Sequence, residues 1–260
     1  MLERAVVGID HSPATDPLIG ELRQLPRLGV RQVTLVTVLG GNYPQMPEER
    51  HRDHYRHRLE EMARTLGEFE STVEVRSGHP AAELRSVAAA TDADVLVVGS
   101  HGHTPWRDLF LGSVVLDLLR TSRWPVLLLP LHTSSPDRGG GVLLATDGSQ
   151  SAAGAEQLAY ELGQTLGGVA TTILADAAGV DDVTQAEEHL AQVADRVLTP
   201  RVEQGPLPET IGRLAQRQAA DMIVVGARGR NPLTGLLLGS TAEHLLRTTN
   251  RPVLLVPHGR

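Results

Sequence analysis

The sequence predicts an α/β protein of two tandem domains, each a set of buried parallel strands with helices on both faces. Three observations carry this. One glycine pattern is written twice, 127 residues apart: Gly99-x-x-Gly102, nine residues, Gly112-Ser113, and then Gly226-x-x-Gly229, nine residues, Gly239-Ser240. Each copy follows an apolar run, Asp94-Val-Leu-Val-Val or Asp221-Met-Ile-Val-Val, and precedes a helix-like segment and a proline-framed apolar strand. Between the halves, residues 132–140 have the Ser-Pro and Gly-Gly-Gly composition of a linker. The domains are therefore expected at 1–131 and 141–260, each within the usual domain size.

Apolar runs of four to six residues separated by helical segments are the pattern of buried parallel strands. In the first half these are a strand at 5–10, a helix at 16–28, a strand at 32–38 and a loop holding Gly40, Gly41, Pro44 and Pro47. A charged helix at 48–66, a strand at 72–76 and a helix opened by Pro80 follow. The strand at 95–98, the glycine loop, a helix at 113–120 and the strand 125–130 complete the half. The second half repeats the order: strand 142–146, helix 152–166, strand 170–174, helix 184–198, strand 200–202, helix 209–219, strand 222–225, loop, helix and the strand 252–257. Asp10 matches Asp147 at an offset of 137 while the glycines match at 127, so ten residues are missing from the second copy, after its second strand.

Composition narrows the function classes. Hydrophobic residues make up 41% but aromatics only 3%, so the cores are built from Ala, Val and Leu. No apolar run approaches the ~20 residues that span a bilayer, and the N-terminus opens a strand without a signal-peptide pattern. With no cysteine there is no disulfide framework or thiolate metal site, and a cytoplasmic location fits. All 24 basic residues are arginine, which excludes a lysine P-loop, a kinase-type strand lysine and a Schiff base. The net charge of -7 argues against a nucleic-acid surface.

The glycine loops have the chemistry of a phosphate cradle. Glycine lets backbone approach an anion closely, and a helix N-terminus directs unpaired N–H groups at it. Ser113 and Ser240 are expected as the N-caps of the following helices, with hydroxyls within reach of a phosphate. Asp10 and Asp147 each end a first strand, where ligands of open α/β sheets sit. A carboxylate there accepts from a ribose hydroxyl, holds a divalent ion carried by phosphates, or simply caps the next helix.

On these residues the chain resembles the universal stress protein family in its tandem form, over nearly all of its length. The Gly-x2-Gly-x9-Gly-[Ser/Thr] pattern is similar to that family's ATP signature, intact in both halves, with an Asp-x-Ser start and an Arg-Pro-Val-Leu-Leu-Val end. The resemblance implies two Rossmann-like domains, each a five-stranded parallel sheet of order 3-2-1-4-5, binding ATP at the strand carboxyl ends. By position, Gly99, Gly102, Gly112 and Ser113 would meet the phosphates with Val114 beside them, Asp10 the ribose or a nucleotide-borne Mg, and the Val38 backbone the adenine. In the second half the matches are Gly226, Gly229, Gly239, Ser240, Thr241 and Asp147, with Ala175 in the adenine position. The resemblance also implies pairing of the two fifth strands within one chain, and leaves room for a homodimer.

Weaker candidates are His51, His54 and His57 on one charged helix, read as a solvated face and not a metal site. His101 and His103 in the first loop suit phosphate neutralisation when protonated, as Arg228 and Arg230 do in the second. Trp106 and Phe110 are read as packing, over a nucleotide or at the domain interface. No triad, paired-carboxylate set or metal cluster is visible. The reading is therefore an ATP-binding stress-response regulator with slow hydrolysis at most. The alternatives are a slow ATPase of the same fold or a ligand-free interaction module.

Overall fold

The computed structural model describes residues 2–40, 48–100, 112–131, 138–146, 150–174, 198–203, 207–227 and 240–257. The first half contributes β1 (Arg4–Gly8), α1 (Thr15–Leu22), β2 (Gln32–Leu39), α2 (Glu48–Thr65), β3 (Glu70–Ser77), α3 (Pro80–Ala90), β4 (Val95–Gly99), α4 (Ser113–Thr121) and β5 (Val126–Leu129). The second contributes β6 (Val142–Thr146), α5 (Ala153–Leu166), β7 (Val169–Leu174), β8 (Leu198–Glu203), α6 (Leu207–Arg217), β9 (Met222–Gly226), α7 (Ser240–Thr248) and β10 (Val253–Val256).

The strands form one ten-stranded sheet of order β3-β2-β1-β4-β5-β10-β9-β6-β7-β8. Pairing is parallel within each half, and the halves meet where β10 runs antiparallel to β5, with Leu254 opposite Leu127. Both seam strands are wholly buried. Their side chains alternate: Leu127 and Leu254 enter one core, while Val126, Leu128, Val253 and Leu255 enter the other. Each core runs without a break from first half to second, because a sheet that crosses the seam must be covered on both faces there too. Two ion pairs add to the first core's rim, Arg27 to Asp221 at 2.9 Å and Arg138 to Glu21 at 2.8 Å.

Three local readings are corrected. The helix expected at 16–28 ends at Leu22 and is followed by a 3-10 turn, Leu25–Leu28. Pro26 lacks the N–H that would continue the helix, and Gly29 at φ 91° closes the turn. The strand expected at 200–202 starts earlier, at Leu198. The helix expected at 184–198 therefore loses its last residue, and the rest of it lies outside the described residues. At the end of the linker, Gly140 and Gly141 are closely fitted: a Cβ on either would meet the backbone of Gln218 or Gly168, and Gly141 takes φ 76°. The glycines here serve close backbone passage, not looseness.

Candidate functional site

In the first half the chain runs from β1 to β2 on one side and returns to β4 on the other, which opens a crevice between the carboxyl ends of β1 and β4. Asp10 is exposed just beyond β1. Its Oδ1 accepts from the Ser12 N–H at 3.0 Å, so the carboxylate also shapes the turn into α1. His11 lies between them at φ 56°, the left-handed region that side chains rarely occupy. Its Nε2 lies 2.8 Å from Thr37 Oγ1, whose own proton goes to the Ile9 carbonyl at 3.2 Å. Thr37 has one proton to give, so the network assigns the Nε2 proton to His11. The ring also packs on Tyr55 of α2 at 4.7 Å.

The β1–β2 ladder ends where the Ile9 N–H donates to the Val36 carbonyl. Backbone direction alternates along a strand, so the N–H and C=O of Val38 turn toward the same side one step past the last rung. Its side chain packs against the same core as Val114.

Gly99 ends β4, and a Cβ there would fall 2.6 Å from Leu131 Cδ1. This glycine has a packing reason of its own. Gly112 has none among the described residues: its φ of −58° and ψ of 148° suit any residue, and no described residue lies within 4 Å of where a Cβ would project. The expectation of Ser113 as N-cap is corrected here. Gly112 holds the cap position without a side-chain bond, and Ser113 is the exposed first residue of α4. The first helical bond runs from the Leu116 N–H to the Gly112 carbonyl. The N–H groups of Ser113, Val114 and Val115 precede it and have no helical acceptor.

In the second half Gly226 ends β9, and the Ala227 N–H donates to the Val256 carbonyl as the Ser100 N–H does to Leu129. Ser240 and Thr241 open α7. Gly102, Asp147, Ala175, Gly229 and Gly239 lie outside the described residues, as do His101, His103, Trp106, Phe110, Arg228 and Arg230. Of the helix histidines, His57 pairs with Glu61 at 3.3 Å and His54 meets the Tyr55 ring edge-on, while nothing is described of the His51 side chain. No group of three metal-ligating side chains occurs among the described residues.

Two features escaped the sequence reading. His11 was legible in principle, because the matching residue of the other half is Gly148, the residue type that tolerates positive φ. The second is a buried polar cluster behind the end of β6. Thr146 Oγ1 donates to Glu156 Oε1 at 2.6 Å, and both residues are 2% exposed. Burial, with the Glu156 charge as a second cause, pushes the nearby Tyr160 phenol up to about 12. At the 137-residue offset the counterparts of Thr146 and Glu156 are Ile9 and Ile19, so the two halves differ just behind their crevices.

The model of the universal stress protein family matches residues 1–130 and, a second time, residues 141–257. The chain belongs to the universal stress protein family. Among its relatives, universal stress protein Rv2623 of Mycobacterium tuberculosis is 27% identical, over 96% of this chain and 95% of that one. A universal stress protein structure from Archaeoglobus fulgidus superposes with a TM-score of 0.76 at 20% identity, covering 98% of this chain and 96% of that one. The cytoplasmic domain of a prokaryotic cation chloride cotransporter shares the fold at a TM-score of 0.59 and 12% identity, covering 98% of this chain and 95% of that one. Such likeness speaks to architecture alone. No helix among the described residues is long and apolar enough to cross a membrane.

Proposed function

We propose that this universal stress protein binds ATP, with Mg carried by the phosphates, at the strand carboxyl ends of one or both halves, and acts in the cytoplasm as a stress-response regulator. The observation that carries this is Gly112: neither its backbone angles nor the described residues around it require glycine, and it opens a helix without a side-chain cap of its own. A bound phosphate supplies the missing reason, because only a residue without Cβ lets the anion approach those N–H groups closely.

In this reading the N–H groups of Ser113 and Val114 and the Ser113 hydroxyl hold phosphate oxygens, with Gly99 and Gly102 across the loop. The α4 dipole offsets part of the negative charge. Asp10 turns its carboxylate toward the ribose or the metal, and the Val38 backbone groups past the end of the ladder meet the adenine edge. The second site uses Gly226, Gly229, Gly239, Ser240, Thr241 and Asp147, with Ala175 at the base. The domain limits at 131 and 141 belong to the same reading. Nucleotide extracted from the purified chain, followed by calorimetric titration with ATP and Mg, is expected to give one or two equivalents per chain. A chain that carries no nucleotide and shows no saturable site would overturn the proposal.

A further inference from the structure

The two outer strands of the sheet are unlike. β8 carries Pro200, which has no N–H, and its pairing with β7 slips between Ala170 and Thr172. Proline and irregular pairing both blunt an edge against further strand addition. β3 has neither: eight residues pair in unbroken register with β2. The Glu70 N–H donates to the Arg31 carbonyl and the Gly78 N–H to the Leu39 carbonyl, so the even-numbered residues face β2. Ser71, Val73 and Val75 therefore direct their N–H and C=O groups outward, where no strand pairs with them among the described residues. This edge forms the floor of a groove walled by Arg52 and Arg56 of α2 and Glu83 of α3.

We infer that the β3 edge receives the β3 strand of a second copy of this chain, antiparallel about a two-fold axis at Val73. The argument is one of register. In an antiparallel pair that exchanges hydrogen bonds, outward-facing residues must stand opposite outward-facing residues, so the numbers of opposed residues sum to an even value. The Val75 and Val73 side chains lie toward the α2 core, which leaves Glu70, Thr72, Glu74 and Arg76 together on the other face. With the axis at Thr72, Glu70 opposes the partner's Glu74. With the axis at Glu74, that residue opposes its own copy. Like charges directly opposite disfavour both.

An axis at Val75 sets Glu74 opposite the partner's Arg76 but overlaps only residues 73–77 of the strand. The axis at Val73 overlaps residues 70–76 and places Glu70 opposite the partner's Arg76, twice by symmetry, with Thr72 opposite the partner's Glu74. Both charged groups are already oriented: Gln32 donates to Glu70 Oε2 at 3.0 Å, and Arg76 is held beside Glu74 at 2.6 Å. A strand whose charges complement its own reversal fits an isologous contact between identical chains.

Sedimentation velocity of the full chain over a concentration series tests this. Wild type is expected to shift from the 27.9 kDa monomer to a dimer. Arg76→Glu and Glu70→Arg should each weaken the dimer by about tenfold or more. The double variant Glu70→Arg/Arg76→Glu restores opposite charges and should recover wild-type association, with circular dichroism checking that each single variant folds. Val73→Pro removes an outward N–H and no ladder bond, and should abolish the dimer. A wild type that stays monomeric, a dimer indifferent to Arg76→Glu or Val73→Pro, or a double variant that fails to recover would each overturn the inference. So would an edge that pairs only with strands of a different protein.

Discussion

His11 holds a left-handed backbone that an ordinary side chain resists, and it does so by bonding Thr37 and stacking on Tyr55. Replacing it by alanine keeps the strained angle and removes both contacts, so His11→Ala should destabilise by about 1–3 kcal/mol. His11→Gly relieves the strain and should cost measurably less; equal urea midpoints for the two variants would contradict this. Tyr160 gives a second residue-scale prediction. Its phenol is raised to about 12 by burial and then by Glu156. The fold thus favours the protonated form, so this contribution to stability is complete below pH 10 and is lost as pH rises toward 12. Phenolate absorbance should show one of the three tyrosines titrating late, and Glu156→Gln should bring it earlier. The burial of Glu156 beside Tyr160 was not visible in the sequence. A glutamate on an amphipathic helix reads as solvent-facing, and only the packing of α5 on β6 shows that Glu156 is inside. Gly112, by contrast, stands out in the sequence because its spacing recurs.

Strand ends show how the repeat is tied together as elements. Asp94 Oδ2 accepts from the N–H groups of Glu3 and Arg4 at 2.9 Å, joining the starts of β4 and β1. Asp221 repeats the device, accepting from the Gly141 N–H at 3.0 Å and pairing with Arg27. The sequence marked both aspartates as the start of an apolar run, but the partners lie 91 and 80 residues away and no local pattern reveals them. Asp221 is buried and Asp94 only half-buried, so Asp221→Ala should cost about 2–4 kcal/mol and Asp94→Ala nearer 1–2. Denaturant midpoints in the reverse order would contradict the assignment. Strand and helix order was readable from apolar runs and breakers, while the first turn of α4 was not. Capping turns on one residue's backbone angles, and the glycine, not the serine, holds them.

At the scale of the whole molecule the seam makes one body of two repeats. The proline-framed fifth strands were recognisable as apolar edges in need of cover, and β5 and β10 do cover one another. The shared cores were not recognisable, because periodicity describes each half alone and says nothing of which helices meet across the seam. Leu127 and Leu254 are fully buried at the junction, so Leu254→Ala should cost about 2–5 kcal/mol and lower the stability of both halves together. A thermal scan should therefore show a single transition in wild type and variant; two separated transitions would contradict a common core. The nucleotide proposal rests on a different feature of the same architecture, the crevice that each half opens at its switch point. Its most direct measurement is calorimetric titration of Gly112→Val with ATP and Mg beside wild type. The Cβ site at Gly112 is open among the described residues and its backbone angles are ordinary, so the variant should keep its fold by circular dichroism while losing the nucleotide held by the first half. A folded variant with undiminished stoichiometry and affinity would contradict the site assigned to the first half.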